Sequence, residues 1–263
     1  GGVGWHTYHL LRSLLALDEQ FAYVGYLRPG SLQAGRLEAW PVHDRLRWVE
    51  TPRWLMPCRG AWDRLDLYHG PNFKMHTTGR SGGIVTIHDL WLARHPEYSR
   101  KLLGQAGSSR RAIATANRAR RVVTVSEFSA REIEALYGIP RERVVVIHNG
   151  VTEEFSPVQD EQGMAVLRAR WAIPSAGFIL FVGGADPRKN HRVFLQAVAQ
   201  SRSQLRGRAI LLVGDTEHPQ RSYLATARSL GLAQDVRCTG RLDREELSLL
   251  YSFADVFVFP SLY

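Results

Sequence analysis

The sequence predicts a doubly wound α/β protein with two mainly parallel sheets. Three observations carry this. Short apolar runs alternate with helical patterns along all 263 residues. The runs are rich in Val and Ile with little polar alternation, as strands buried on both faces are. The stretches between them place apolar residues on one helical face, so each can cover a sheet.

The first series of strands reads AYVGYL (22–27), LRWV (46–49), DLYH (66–69), IVTIHD (84–89), VVTVS (122–126) and VVVIH (144–148). A second series reads FILFVG (178–183), AILLVGD (209–215), VRCTG (236–240) and DVFVFP (255–260). Among the helices, Ala130, Ile133, Leu136 and Tyr137 mark one stripe, ended by Gly138 and Pro140. Val193, Phe194, Ala197 and Val198 mark another. Leu247, Leu250 and Tyr251 mark a third, with Asp243 as its cap and Glu246 three residues on. The stretch 149–163 breaks the rhythm with an Asn-Gly turn, a proline and a run of acids. A domain boundary is expected there, giving Rossmann-like domains 1–155 and 156–263, the second sheet starting near Phe178.

Composition narrows the partners. The chain is 44% hydrophobic and 22% charged, ordinary for a globular protein. No apolar run approaches the ~18 residues of a membrane helix. Cys58 and Cys238 are far apart, which fits neither a disulfide framework nor a metal cluster and favours a reducing cytoplasm. The net charge is +9, carried almost wholly by arginine, with lysine only at 74, 101 and 189. Such a balance favours phosphate-rich partners: nucleic acid, an anionic membrane, or nucleotide substrates.

Four stretches can carry chemistry. In FVGGADPRKN (181–190) a buried strand runs into Gly183 and Gly184, and a helix follows. Glycines let backbone approach a ligand, and a helix start offers free N–H groups. Arg188 and Lys189 add a two-oxygen grip and a mobile point charge, which together suit a diphosphate. The alternative is a solvated turn, and the stretch is neither a Walker loop nor GxGxxG. Asn190 is placed to cap the helix. In GGVGWHTYHLLRSLL, Gly1, Gly2 and Gly4 precede a helical pattern and repeat the device, or form a plain turn. His6 and His9 share a helix face but have no nearby acid of metalloprotease type, so no metal is expected.

In IVTIHDL, His88 and Asp89 end a strand, where ligands of such sheets bind. His88 there can donate to a substrate oxygen or stabilise developing charge, or be satisfied by backbone. His69 and His148 also end strands, His148 beside a turn. The fourth stretch, 108–123, is a basic helix whose Arg110, Arg111, Arg118, Arg120 and Arg121 miss a single stripe. It is either a solvated face or a contact for anionic lipid headgroups. Aromatics do not interleave with the cations, so nucleic acid is not expected.

Taken in order, GGVG, IHDL, VVTVSEFSAREI, VVVIHNGV, FVGGADPRKN, LLVGD and VRCTGRLDREELSLLYSFADVFVFPSLY resemble the retaining GT-B glycosyltransferases of family 4. Mannosyltransferase-like group 1 members are the most similar in pattern. The resemblance spans nearly the whole chain and is weakest over 28–65. It implies two Rossmann-like domains, the first for acceptor and the second for a sugar nucleotide of the GDP-mannose or UDP-hexose class. The acceptor is a saccharide or is lipid-linked, in cell-surface polysaccharide or glycolipid assembly. By the same resemblance Gly2, Val3 and Gly4 approach the donor phosphates, and His88 lies near the transferred sugar. Lys189 and Arg188 contact the diphosphate, and Arg241 and Leu242 lie near the nucleobase. No metal and no cofactor is implied. The implied station is cytoplasmic, at the inner face of the plasma membrane where a basic surface meets anionic lipid.

Two departures stand out. Gly184 occupies a place where many members have arginine. The sequence also ends at Tyr263, before the E-G-F-G segment and the spaced second glutamate of the family. A fragment lacking its first strand and part of the second domain is therefore expected, and it is expected to transfer no sugar alone. A GT-B sugar-nucleotide epimerase and a noncatalytic nucleotide-sugar or membrane-binding module are the competing readings.

Overall fold

A computed structural model describes residues 2–17, 20–32, 40–98, 105–184, 186–214 and 219–263. The chain divides into two compact units, Gly1–Asn149 and Gly150–Tyr263, at the Asn-Gly dipeptide that interrupts the strand–helix rhythm.

The first unit opens with α1 (Gly2–Leu17), β1 (Tyr23–Leu27), β2 (Leu46–Glu50) and α2 (Met56–Trp62). It continues through β3 (Tyr68–Gly70), β4 (Gly83–Ile87), α3 (Trp91–Arg94), α4 (Gln105–Arg118), β5 (Arg121–Thr124), α5 (Glu127–Tyr137) and β6 (Val144–Val146). Strands β3, β4, β5 and β6 form one parallel sheet in chain order. Val85, Ile87 and Val122 lie fully inside it, under Ala112 and Ala116 of α4 and Ala130 and Ile133 of α5. The small alanines let both helices approach the sheet closely. Helix α5 starts where the Ser126 hydroxyl accepts the Ser129 N–H at 3.1 Å. It stops at Gly138, whose left-handed φ of 64° a side chain would resist.

The first two strands depart from expectation. Strands β1 and β2 pair in parallel with each other in a separate two-stranded sheet. They are half-buried rather than covered on both faces, and Arg47 is exposed. Their aromatic residues face a thinner cover; Trp48 packs so closely on Gly25 that a Cβ there would lie 2.2 Å from the indole. The strands carrying histidines also end sooner than the apolar runs suggest. His88, Asp89 and His148 lie in loops just past β4 and β6.

The second unit contains α6 (Glu161–Trp171), β7 (Phe178–Val182), α7 (His191–Gln200), β8 (Ala209–Val213), α8 (Pro219–Ser229), β9 (Val236–Gly240), α9 (Arg244–Phe253) and β10 (Val256–Phe257). Its sheet is parallel in the order β10-β7-β8-β9. Side chains alternate between two cores. Phe181, Ile210 and Leu212 pack with Phe194, Leu195 and Val198 of α7 and Tyr223 of α8. Phe178, Leu180 and Leu211 pack on the other face with Met164 and Leu167 of α6 and Leu250 of α9. Each fully buried Phe or Leu contributes about 1.5–3 kcal/mol of transfer free energy. A sheet covered by helices on both faces is the doubly wound arrangement expected.

The stripe of α7 is rotated from the reading 193, 194, 197, 198. Phe194, Leu195 and Val198 are buried, while Val193 is 50% exposed. On α9 Leu250 is buried, but Tyr251 lies toward solvent at 37%. Asp243 caps α9 as expected, its carboxylate accepting the Glu246 N–H at 2.8 Å. The Glu246 carboxylate takes the Arg170 guanidinium and so ties α9 to α6. The free thiols Cys58 and Cys238 lie in different units. Among the described residues no helix is long and apolar enough to cross a membrane.

Candidate active site

In the second unit the candidate residues gather at the carboxyl end of β7. The Gly183 N–H bonds to the Val213 carbonyl at 2.8 Å, and the Gly183 carbonyl accepts the Tyr223 hydroxyl at 3.2 Å. Gly214 backs this turn: a Cβ on it would lie 2.3 Å from the Gly183 oxygen and 3.0 Å from the Gly184 nitrogen. A Cβ on Gly183 would lie 3.2 Å from Cγ of Lys189. Gly214 is thus set by backbone packing against the turn, and Gly183 leaves room for the stem of Lys189.

Arg188 and Lys189 follow in a short 3-10 turn, Pro187–Lys189. Asp186 organises it twice. One carboxylate oxygen accepts the Arg188 N–H at 2.9 Å, and the other accepts its guanidinium at 2.9 Å. The Lys189 ammonium lies over the Phe259 ring, 4.3 Å from its centroid, a cation–π contact. The Arg188 carbonyl accepts the Leu262 N–H at 2.8 Å. Asn190 departs from its expected role. It occupies the N-cap position with a left-handed φ of 55°, but its side chain makes no cap bond. Its amide donates instead to the Pro260 carbonyl at 3.3 Å. Segment 259–262 therefore holds three consecutive residues of the basic turn. Sequence reading missed Asp186, Gly214, Tyr223 and Phe259; the strand-end position of Gly214 in LLVGD was the available signal. Arg241 is exposed just past β9, while Leu242 is half-buried against the core under α9.

In the first unit Gly2, Val3 and Gly4 are not a loop before a helix; they are the first turn of α1. The apolar pattern from Tyr8 marks only where the helix begins to pack, not where it begins. Their amides are the ones a helix leaves without intrahelical partners. The Val3 carbonyl accepts the Thr7 hydroxyl at 2.9 Å. A Cβ on Gly2 or Gly4 would meet no atom within 4 Å.

One turn further, His6 meets His88, their ring centroids 4.6 Å apart and the rings edge to face. His6 Nδ1 pairs with Asn149 Oδ1 at 3.3 Å. His69 completes the cluster, its Nε2 2.8 Å from the Thr86 hydroxyl. Sequence reading paired His6 only with His9 and gave no signal that His6, His69 and His88 would converge. His88 donates its Nε2 proton to the Pro71 carbonyl at 2.9 Å, which leaves Nδ1 as the acceptor of the ring. Its backbone bond is therefore real, yet one ring nitrogen stays open to chemistry. His148 faces the Val125 carbonyl at 3.2 Å. Among the described residues no three His, Cys, Asp or Glu side chains are placed to hold a metal ion.

Burial and the neighbouring histidines lower both His6 and His69, His69 to about 4. The unfolded chain protonates His69 near 6.5 and the fold keeps it neutral to about 4, so protons favour unfolding. Stability should fall as the pH drops from 6.5 toward 4, by at most ~1.4 kcal/mol per pH unit for this one group. The urea midpoint at pH 5 is expected below that at pH 7.5, and His69→Gln should narrow the gap. An equal gap in the variant would assign the acid sensitivity elsewhere.

The sequence matches the family model "Glycosyltransferase Family 4" over residues 1–155 and "Glycosyl transferases group 1" over 176–263. The chain belongs to glycosyltransferase family 4. This family-4 chain is 30% identical over 222 residues to the O-antigen chain mannosyltransferase B of Escherichia coli, covering 82% of this chain and 57% of that protein. It is 30% identical over 247 residues to a D-inositol 3-phosphate glycosyltransferase of Thermobispora bispora, covering 89% and 50%. The chain thus spans about half the length of these curated relatives.

Among solved structures, Anabaena HepE in complex with UDP and glucose superposes with a TM-score of 0.71 at 19% identity, over 99% of this chain and 71% of that one. WaaG, a glycosyltransferase involved in lipopolysaccharide biosynthesis, superposes at 0.62 and 16%, over 92% and 75%. At such identities the likeness shows the fold, and the fold is GT-B.

Proposed function

We propose that this chain supplies donor and acceptor groups for transfer of a hexose from a nucleotide-diphosphate sugar to a saccharide or lipid-linked acceptor, with retention of anomeric configuration. The observation that carries the reading is the turn 183–189. A glycine turn, backed closely by Gly214 at the end of β8, places Arg188 and Lys189 at the carboxyl end of a buried parallel strand, where ligands of such sheets bind. The start of α1 supports it: a Cβ on Gly2 or Gly4 would meet no atom within 4 Å, so packing does not require glycine there, and close approach of a ligand to those amides does.

In this reading Arg188, Lys189 and the backbone of Gly183 and Gly184 neutralise charge on the departing diphosphate. The amides of Gly2, Val3 and Gly4 at the start of α1 are suited to a phosphate as well. Arg241 and Leu242 flank the base. His88 accepts a sugar hydroxyl on Nδ1, its ring fixed by the Pro71 carbonyl. The acceptor attacks from the face the diphosphate leaves. The cations and amides of the chain carry the charge, so no metal enters the reading. The O-antigen chain mannosyltransferase among the relatives favours a mannose donor and cell-surface polysaccharide assembly; the reading keeps a GDP-mannose or UDP-hexose donor, a saccharide or glycolipid product, and a cytoplasmic station where a basic surface meets anionic lipid.

A thermal-shift panel of GDP-, UDP- and ADP-sugars tests it. At a hundredfold excess over Kd, the matching donor should raise Tm by about 5 °C or more, and its nucleoside monophosphate much less. No shift with any nucleotide sugar would overturn the reading.

A further inference from the structure

The loop that follows β3 is tightly wound. Pro71 has no N–H to extend the ladder past Gly70, and the chain turns back over the end of β4. The Thr86 carbonyl accepts the Phe73 N–H at 3.0 Å, and the Thr86 hydroxyl pairs with His69 Nε2 at 2.8 Å. Gly70 is buried where the turn closes on itself: a Cβ on it would lie 1.9 Å from the Lys74 carbonyl oxygen and 2.8 Å from the carbonyl carbon. Phe73 has a left-handed φ of 55°, which a bulky side chain resists. Its ring packs against the core of the first unit, while its neighbours Asn72 and Lys74 are exposed. Packing thus holds a backbone conformation that the residue itself disfavours.

Strained backbone persists only where its surroundings over-determine it, and such residues cluster at functional sites. This turn carries the Pro71 carbonyl to within 2.9 Å of His88 Nε2. The main chain at His88 is fixed separately, its carbonyl accepting the hydroxyl of Ser129 in the first turn of α5 at 3.3 Å. The ring is what remains to be set, and a carbonyl facing Nε2 draws the ring proton there and leaves Nδ1 bare. We propose that Gly70 and Phe73 are positioning residues for sugar transfer: the turn they hold aims the Pro71 carbonyl at His88 and so fixes its ring with Nδ1 as the acceptor for the sugar. The proposal rests on the transferase reading above and adds to it what orients the histidine. A relaxed turn would withdraw the carbonyl, and the ring would exchange between tautomers.

Phe73→Ala and Phe73→Gly test it as a pair. Both remove the ring, but only glycine takes a positive φ without strain. Away from positive φ alanine is the more stabilising of the two, so a packing role alone would rank alanine first. Proton–nitrogen correlation spectra of the histidine rings, taken on the chain at about pH 8, lie above the ordinary histidine range. There the parent should show His88 with a protonated Nε2 and a bare Nδ1. Phe73→Ala should bring the two nitrogen shifts together as tautomers mix, and Phe73→Gly should keep them apart. The urea midpoint of the glycine variant should lie above that of the alanine variant. In the full-length parent, Phe73→Ala should lower kcat at least ~10-fold, and Phe73→Gly should turn over at least ~5-fold faster than the alanine variant. Gly70→Ala attacks the turn from its other end and should alter the His88 spectrum as Phe73→Ala does. Parental His88 spectra in Phe73→Ala, or the same change in the alanine and glycine variants, overturn the proposal and leave the transferase reading standing. Spectra that change as expected with kcat unmoved overturn the role of His88 in that reading, and the proposal with it.

Discussion

Replacing Lys189 by alanine in the full-length parent should lower turnover of sugar transfer at least ~100-fold, the scale for loss of one preorganised donor to developing charge. The lysine is preorganised by the fold. Its ammonium lies over Phe259, and its stem packs on Gly183, where even a Cβ would lie 3.2 Å away. Little entropy remains to be lost when it meets an anion. The loss should appear in kcat, because charge on the diphosphate grows as the bond to the sugar breaks. The effect on acceptor KM should be much smaller than that on kcat, because the lysine acts on the departing diphosphate. Lys189→Arg should recover part of the rate, since charge is kept while the fork is misplaced. Kinetics of the alanine variant equal to the parent's would sink the assignment.

The second large effect is expected at a residue with no charge. Gly214→Ala would place a methyl 2.3 Å from the Gly183 oxygen and 2.6 Å from its carbonyl carbon. Those are backbone atoms of the turn and cannot swing away as a side-chain tip does. Either β8 moves or the Gly183–Gly184 peptide moves. Overpacking of this kind costs about 1–3 kcal/mol. The turn is also held by the Val213 carbonyl and the Tyr223 hydroxyl, so a shift strains both bonds. Urea unfolding should show the stability loss, and calorimetry with the donor nucleotide should show at least ~10-fold weaker binding. A variant with parental midpoint and parental nucleotide affinity would show that the turn is not set by this contact.

Much of the fold was legible in the order of apolar runs. Val- and Ile-rich strands bounded by turn residues announce a covered parallel sheet, and the second unit fits that description strand by strand. Periodicity reads which face is apolar, not what covers it. Strands β1 and β2 look like their neighbours in sequence yet form a separate, half-covered pair. Val193 looks like part of a stripe, but α7 is rotated so that Leu195 takes the buried place. At the site, the local device of strand, glycine turn and cations was visible in FVGGADPRKN. Its supports were not, because they come from far along the chain: Phe259 and Pro260 from beyond β10, Gly214 from the end of β8, Tyr223 from α8. The same holds for His6 and Asn149, which meet across 143 residues. Helix-start glycine was read as loop because an apolar stripe marks packing, and a helix can begin before it packs.

The order of strands has a consequence for how the two units are made. In the first unit the sheet order follows the chain, so each strand from β3 onward finds its partner in the strand made next. In the second, β7 pairs early with β8 but keeps its other edge open until β10 exists, Phe178 reaching its Asp255 anchor across 77 residues. At a synthesis rate of ~5–20 residues per second, that edge waits roughly 4–15 s. FILFV is fully apolar, and an open apolar edge invites pairing with another nascent copy. The ribosome thus releases a first unit that can close as it emerges. The second unit, which carries the basic turn, depends on β10 to cover that edge.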